Sequence, residues 1–125
     1  MTQALWAKFP AVRSPAWKIK SDENYEAEFT LKRKEIAAKF DVIGKWIETE
    51  SAMPRSQLPT AVSAAIAQEF KGYKIVEPQT VHRWDATRLI YEVHLENAVD
   101  IVKLQLYPDG TILNQSAKET CRRRE

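Results

Sequence analysis

Apolar and polar residues alternate along four segments of the chain: Tyr25–Leu31, Ile36–Phe40, Tyr91–Leu95 and Val102–Leu106. A period of two is typical of β-strands, whose successive side chains point to opposite faces. One face of such a sheet packs on a core, and the other is wetter. The pattern therefore predicts antiparallel strands in two groups, one in each half of the chain.

Apolar residues at helical spacing predict two helices. The longer one carries a stripe of Leu58, Val62, Ala65, Ile66 and Phe70. Pro59 suits its first turn, Ser56 or a residue just after it is the expected cap, and Gly72 is the expected end. The shorter helix runs from about Thr2 to Phe9, and we expect the chain to start within it.

Three short segments carry turn chemistry: Lys32-Arg33, Asp41–Gly44 and Pro108–Gly110. With Gly72 ending a helix, each of the three glycines has a structural role. The sequence then offers no glycine-rich loop that could cradle a phosphate.

The two halves of the chain resemble each other at an offset of about 66 residues. Tyr25–Phe29 matches Tyr91–Leu95, and Gly44 matches Gly110. We therefore expect an α+β fold in which two related helix-plus-antiparallel-strand repeats form one sheet, with helices packed on one face. The expected organisation is a single domain over 1–116, with repeats at about 1–50 and 56–115, followed by a tail at 117–125.

The sheet face away from the helices is the candidate binding surface. Trp46 and Ile47 are adjacent in one strand, so one of them must leave the helix-covered side. Ile90, His94 and Ile101 occupy positions on the polar side of their strands. A partly apolar open face often binds a partner. The alternative interpretation is that strand ends or loops cover these residues.

Charge and segment composition exclude several classes of protein. The chain has 19 basic and 17 acidic residues, a net charge of +2, and only two small basic clusters, at Lys32–Lys34 and Arg122–Arg124. This balance is not typical of a nucleic-acid-binding protein. No apolar run is long enough for membrane insertion. The single cysteine, Cys121, forms no internal disulfide, and we expect a monomer or a weak dimer.

The sequence contains no recognisable catalytic, cofactor or metal motif. His82, Asp85 and His94 match no ligand signature, so no metal site is predicted. Glutamates alternate with apolar residues on the strands, which predicts a solvated face rather than a catalytic carboxylate pair. They are Glu26, Glu28, Glu48, Glu50, Glu92 and Glu96.

Four segments together resemble the PepSY-like family of small bacterial envelope proteins, which is related in fold to β-lactamase inhibitory protein. They are Tyr25–Thr30, Lys34–Asp41, Gly44–Glu50 and the Leu-Pro-x-x-Val-x-x-x-Ile-x-x-x-Phe pattern of Leu58–Phe70. The resemblance covers roughly 5–113. It implies a tandem fold of helix-plus-strand repeats, export to the periplasm or cell surface, and no catalytic residues.

The leading functional hypothesis is a non-catalytic binding or inhibitory module that uses its open sheet face to bind a protein partner, such as a secreted enzyme. Its predicted contact residues are Trp46, Ile47, Ile90, His94 and Ile101. The alternative is a small-ligand carrier with a cleft between sheet and helices, which needs a cavity of roughly 300 Å³ or more. An enzyme of unrecognised type is the third hypothesis.

Overall fold

The computed structural model describes residues 2–12, 15–20 and 22–117. These residues contain helices α1 (Thr2–Lys8) and α2 (Thr60–Glu69), with a short 3₁₀ turn at Arg55–Gln57. The strands are β1 (Ala16–Ile19), β2 (Tyr25–Leu31), β3 (Lys34–Phe40), β4 (Trp46–Ala52), β5 (Lys74–Arg83), β6 (Ile90–Glu96), β7 (Ile101–Leu106) and β8 (Ile112–Ala117). Cys121 and the arginines at 122–124 lie outside the described residues.

The strands form one eight-stranded sheet in which they follow each other in chain order, from β1 to β8. The pairs β1–β2, β2–β3, β3–β4, β6–β7 and β7–β8 are antiparallel. Short turns such as those after β2, β3 and β7 join antiparallel neighbours directly, whereas the connection from β4 to β5 contains α2. The predicted combination of an antiparallel sheet with two helices is confirmed.

The chain divides into two compact units. Unit 1 holds the described residues of 1–52 and 81–87, and unit 2 those of 53–80 and 88–125. Both units contain strands that follow a helix.

The core of unit 1 lies between α1 and one face of β2 and β3. Leu5 of α1 is fully buried there, with Ala27 of β2 and Ala38 and Phe40 of β3. These positions follow the predicted alternation, which places every second side chain on the core face. Partly buried aromatic side chains complete the cluster: Phe9, Trp17, Phe29 and Trp46.

The core of unit 2 lies between α2 and one face of β6 and β7. Val62 and Ile66 of α2 are buried against aliphatic strand residues, namely Val93, Leu95, Val102, Leu104 and Leu106. The predicted stripe on α2 is therefore confirmed. Its start differs from the prediction, because Ser56 lies in the 3₁₀ turn and Pro59 is the N-cap, without a side-chain cap hydrogen bond.

The predicted hairpin turns are present and owe their shape to residues with positive φ. Lys32 and Arg33 have φ of 52° and 67°, and Gly44 and Gly110 both have φ of 90°. Asp109 stabilises its turn by accepting a hydrogen bond from the backbone N–H of Thr111 at 2.9 Å. That backbone bond is the main reason that the pKa of Asp109 falls to about 2.

A β-bulge shifts the register within each of two strand pairs, β3–β4 and β7–β8. Phe40 pairs with Trp46 and Lys39 pairs with Glu48, which leaves Ile47 as the extra residue of β4. In the same way Leu106 pairs with Ile112 and Gln105 with Asn114, so residue 113 is the extra one in β8. A bulge changes the directions in which the neighbouring side chains of the strand point.

Within the described part of the chain, no helix is long and apolar enough to span a bilayer.

Candidate binding face

The open face of unit 1 is the face of β1–β4 opposite the core. The strand register aligns four side chains across it in a row: Lys18, Glu26, Lys39 and Glu48. Each strand contributes one residue, and the charges alternate. We call this set the charge row. Opposite charges on neighbouring strands are favourable cross-strand pairs.

Ion pairs surround the charge row and hold its members in place. Lys39 Nζ lies 3.2 Å from Asp22 Oδ2, and Lys20 Nζ lies 3.8 Å from Glu26 Oε1. Further pairs join Lys18 to Glu28 at 3.1 Å and Arg83 to Glu48 at 4.0 Å. The open face of unit 1 is therefore a network in which each of these carboxylates has a cationic neighbour.

Burial distinguishes the two glutamates of β2. Glu26 is only 6% exposed, and this burial raises its pKa, while the positive charge of Lys20 opposes the rise. The hydrogen bond from Lys18 instead lowers the pKa of Glu28. The pKa of Lys39 is raised, because the hydrogen bond to Asp22 and the nearby carboxylates outweigh its burial.

The open face of unit 2 is built around Glu92, which is only 2% exposed. Its carboxylate accepts hydrogen bonds from Gln79 Nε2 and, at 2.8 Å, from Gln105 Nε2. Lys103 Nζ lies 3.5 Å from Glu92 Oε1. A buried carboxylate is tolerated only when it is hydrogen-bonded and paired, and this one is both.

His94 lies next to Glu92 on the same face of β6. Its Nδ1 is 2.7 Å from Glu77 Oε2, and its side chain is 15% exposed. Glu77 adopts a φ of 50°, an uncommon conformation for a residue other than glycine. His94 is thus a held, largely buried side chain rather than the freely exposed imidazole that its outward position suggests.

The prediction that all six strand glutamates lie on a solvated face is wrong for Glu26 and Glu92. Both are on the expected face, but both are buried. The sequence does contain a signal for this pair, because the two glutamates stand 66 residues apart, at the offset of the internal resemblance. The other four strand glutamates are partly buried: Glu28, Glu48, Glu50 and Glu96.

The structure separates Trp46 from Ile47. Trp46 packs against the core of unit 1, and its Nε1 donates a hydrogen bond to Thr49 Oγ1 at 2.8 Å. Trp46 and Thr49 are three residues apart and still share the core face of β4, because Ile47 is the extra bulge residue. Trp46 therefore belongs to the helix-covered side, and Ile47 is a half-buried residue outside that cluster.

Ile90 and Ile101 do not form an exposed apolar patch. They are 2% and 4% exposed. Ile101 pairs with Glu96, on the face that also carries Glu92 and His94. At these two positions the open face therefore offers a partner no exposed apolar surface, contrary to the expectation of a partly apolar face. The exposed open face is polar and charged.

No group of three or more potential metal ligands occurs among the residues that the structure describes. His94 is held by Glu77, and Asp85 by Arg83 at 3.1 Å. The chemistry of the two open faces is that of paired charges and amides, which can offer both donors and acceptors to a polypeptide.

Solved structures from Bacteroides species share this fold. A DUF2874 family protein from Bacteroides uniformis has a TM-score of 0.83 at 21% identity, covering 93% of this chain and 86% of its own. A "BLIP-like protein" from Bacteroides fragilis has a TM-score of 0.78 at 20% identity, covering 93% and 82%. A protein from Bacteroides eggerthii, described among "putative periplasmic proteins", has a TM-score of 0.81 at 19% identity, covering 93% and 85%. A comparison with curated proteins finds no match.

A family model extends the likeness to the sequence itself. The model described as "Putative beta-lactamase-inhibitor-like, PepSY-like" matches residues 23–114, which include every strand from β2 to β7. This match confirms the resemblance that the strand and helix motifs indicate. The chain belongs to the PepSY-like, β-lactamase-inhibitor-like family.

Proposed function

We propose that this protein is a non-catalytic binding or inhibitory module, and that the open face of its sheet contacts a protein partner such as a secreted enzyme. The observation that carries the proposal is the charge row with its ion pairs. Charges fixed before binding need little reordering, and they give specificity through complementarity. The family to which the chain belongs, described as "Putative beta-lactamase-inhibitor-like, PepSY-like", supports the proposal.

The predicted contact residues divide into those that could touch a partner directly and those that are buried. Of the predicted contact residues, Ile47 in unit 1 is half-buried and His94 in unit 2 keeps 15% of its side chain exposed. We propose these two as direct contacts, each on the open face of its own unit. Trp46, Ile90 and Ile101 would act by supporting the strands, because they are packed or buried. Lys39 and Glu48 join the proposed contact set as central members of the charge row.

We place the protein in the bacterial periplasm or at the cell surface. The support is its family and the neighbour from Bacteroides eggerthii that is described as periplasmic.

We also propose that the two halves are related copies. Helix-then-strands order occurs in both, and the bulges follow residues 39 and 105, which are 66 positions apart.

Site-specific photo-cross-linking tests the protein-binding proposal. A photoreactive residue replaces Ala37, which lies on the open face between Glu28 and Glu50. The matched control replaces Gln68, an exposed residue of α2. In an envelope fraction of the native bacterium, we expect one dominant protein adduct from position 37 and none from position 68. The same adduct from both positions, or no adduct from position 37, would reject the open face as the binding surface.

The second candidate function, carriage of a small ligand, is favoured by two hollows at the helix–sheet boundary. A hollow of about 370 Å³ in unit 2 is lined by α2 residues such as Ile66 and Phe70, together with Tyr73 and Ile75. Another, of about 300 Å³, lies in unit 1. Both volumes are at the lower end of the range for small-molecule sites, roughly 300–1,000 Å³.

A further inference from the structure

We propose that the hollow in unit 1 binds a small carboxylic acid with an apolar body. It has a volume of about 300 Å³ and lies at the C-terminal end of α1, against β4 and β5. Its lining consists of Lys8, Phe9, Trp46, Thr49, Ser51 and His82, all within unit 1. This inference deepens the second candidate function and rests on it, and it is independent of the protein-binding face.

The polar groups of the lining can donate hydrogen bonds. Lys8 Nζ lies 3.8 Å from the centroid of the Trp46 ring, and no carboxylate among the described residues forms an ion pair with it. Thr49 is 6% exposed, and its Oγ1 already accepts the Trp46 Nε1 hydrogen bond. A hydroxyl that accepts one hydrogen bond still has one proton to donate, and in the proposed complex Thr49 donates it to the ligand. Ser51 adds a second hydroxyl donor.

The charge balance of the lining selects an anion. Lys8 contributes a positive charge, and none of the six lining residues is acidic. A hydrogen bond from an ammonium to a carboxylate is about twice as strong as one between neutral groups. The carbonyl groups at the C-terminal end of α1 carry partial negative charge and oppose any anion, a phosphate dianion more than a monocarboxylate. The attraction for the carboxylate must therefore come from the ammonium of Lys8.

The aromatic side chains provide a place for the apolar part of the ligand. Phe9 packs against Phe29 with ring centroids 5.2 Å apart, which fixes its ring at the wall of the hollow. Trp46 is fixed by its bond to Thr49 and by its packing in the core. A ligand could place its carboxylate at Lys8 and Thr49 and its apolar body against these rings. The volume suits an acid about as large as phenylacetate.

Isothermal titration calorimetry of the full chain tests this site, with phenylacetate as the probe. Phenylacetamide has nearly the same shape without the charge, and inorganic phosphate tests for a general anion site. Lys8→Met removes the ammonium from an exposed position, so the fold should be retained. The matched control is Lys45→Met, because Lys45 lies 3.6 Å from the Trp84 ring and does not line the hollow.

We expect phenylacetate to bind the unaltered chain, with at least tenfold weaker binding of phenylacetamide. Lys8→Met should weaken phenylacetate binding at least tenfold, and Lys45→Met by less than twofold. The site assignment is overturned if phenylacetate gives no binding at millimolar concentration, or if both lysine variants weaken it equally. Equal binding of phosphate would reject the carboxylic acid as the ligand class. Cross-linking from position 37 tests the protein-binding face separately. A negative calorimetry result would therefore reject the ligand site without affecting the protein-binding proposal.

Discussion

Glu26 and Glu28 are two residues apart on the same face of β2, yet their carboxyl groups respond to opposite influences. Glu26 is buried, which disfavours its charged form and raises its pKa. Glu28 is partly exposed and accepts a hydrogen bond from Lys18, which lowers its pKa. The two residues should therefore give the stability of the protein opposite dependences on pH.

Glu26→Gln and Glu28→Gln form a matched pair for testing this difference. A carboxyl with a raised pKa binds its proton more tightly in the folded state, so ionised Glu26 costs stability as pH rises through that pKa. The unfolding free energy of Glu26→Gln, measured relative to that of the unaltered protein, should therefore increase as pH rises from about 4 to about 7. Glu28 contributes stability above its ordinary pKa, and that contribution is lost as pH falls, so Glu28→Gln should be destabilising mainly near neutral pH.

Urea unfolding of both variants at a series of pH values measures these differences in unfolding free energy. Parallel pH profiles for the two variants would contradict the assignment of opposite pKa shifts. The sequence predicts which face carries these glutamates, because alternation alone decides it. It does not predict the burial of Glu26 and Glu92, because that depends on partners from other segments of the chain, such as Lys20 and Gln105.

At the scale of elements, α2 packs directly onto the turn between β7 and β8. A Cβ at Gly110 would lie 2.7 Å from the backbone oxygen of Ala61, and the φ of Gly110 is 90°. Gly72 has a similar φ of 85°, but a Cβ there would meet nothing within 4 Å. The two glycines separate the cost of the backbone conformation from the cost of the helix contact.

Gly72→Ala should reduce the free energy of unfolding by about 1 kcal/mol, because the only added cost is that of holding an alanine in the left-handed backbone conformation. Gly110→Ala should cost about 3 kcal/mol or more, since helix and turn must also move apart. Chemical denaturation of both variants gives the comparison. Equal losses would show that the contact between α2 and the turn does not constrain position 110.

The elements that the sequence predicts well are those whose signal is local. Apolar periodicity identifies α2 and the paired strands, and turn residues identify the hairpins at Lys32-Arg33 and Pro108–Gly110. The bulge in β4 carries no comparable local signal. Because the bulge decides which of Trp46 and Ile47 packs on the core, the composition of the candidate face could not be derived from alternation.

At the scale of the whole molecule, the net charge of +2 is too small to steer a partner by itself. If the open face binds a protein, recognition must come from the arrangement of its charges. Lys39 lies in the centre of the charge row, and Lys32 lies in an exposed hairpin turn. Replacing either lysine by methionine changes the net charge by the same amount.

Lys39→Met should therefore weaken binding to the protein cross-linked from position 37 by tenfold or more, because it leaves Glu26 and Glu48 without their shared cationic neighbour. Lys32→Met should change the affinity by less than twofold. Surface-immobilised titration of the purified partner measures both affinities, and urea unfolding checks that Lys39→Met is folded at the temperature used. Equal weakening by the two variants would mean that net charge, and not the charge row, governs association.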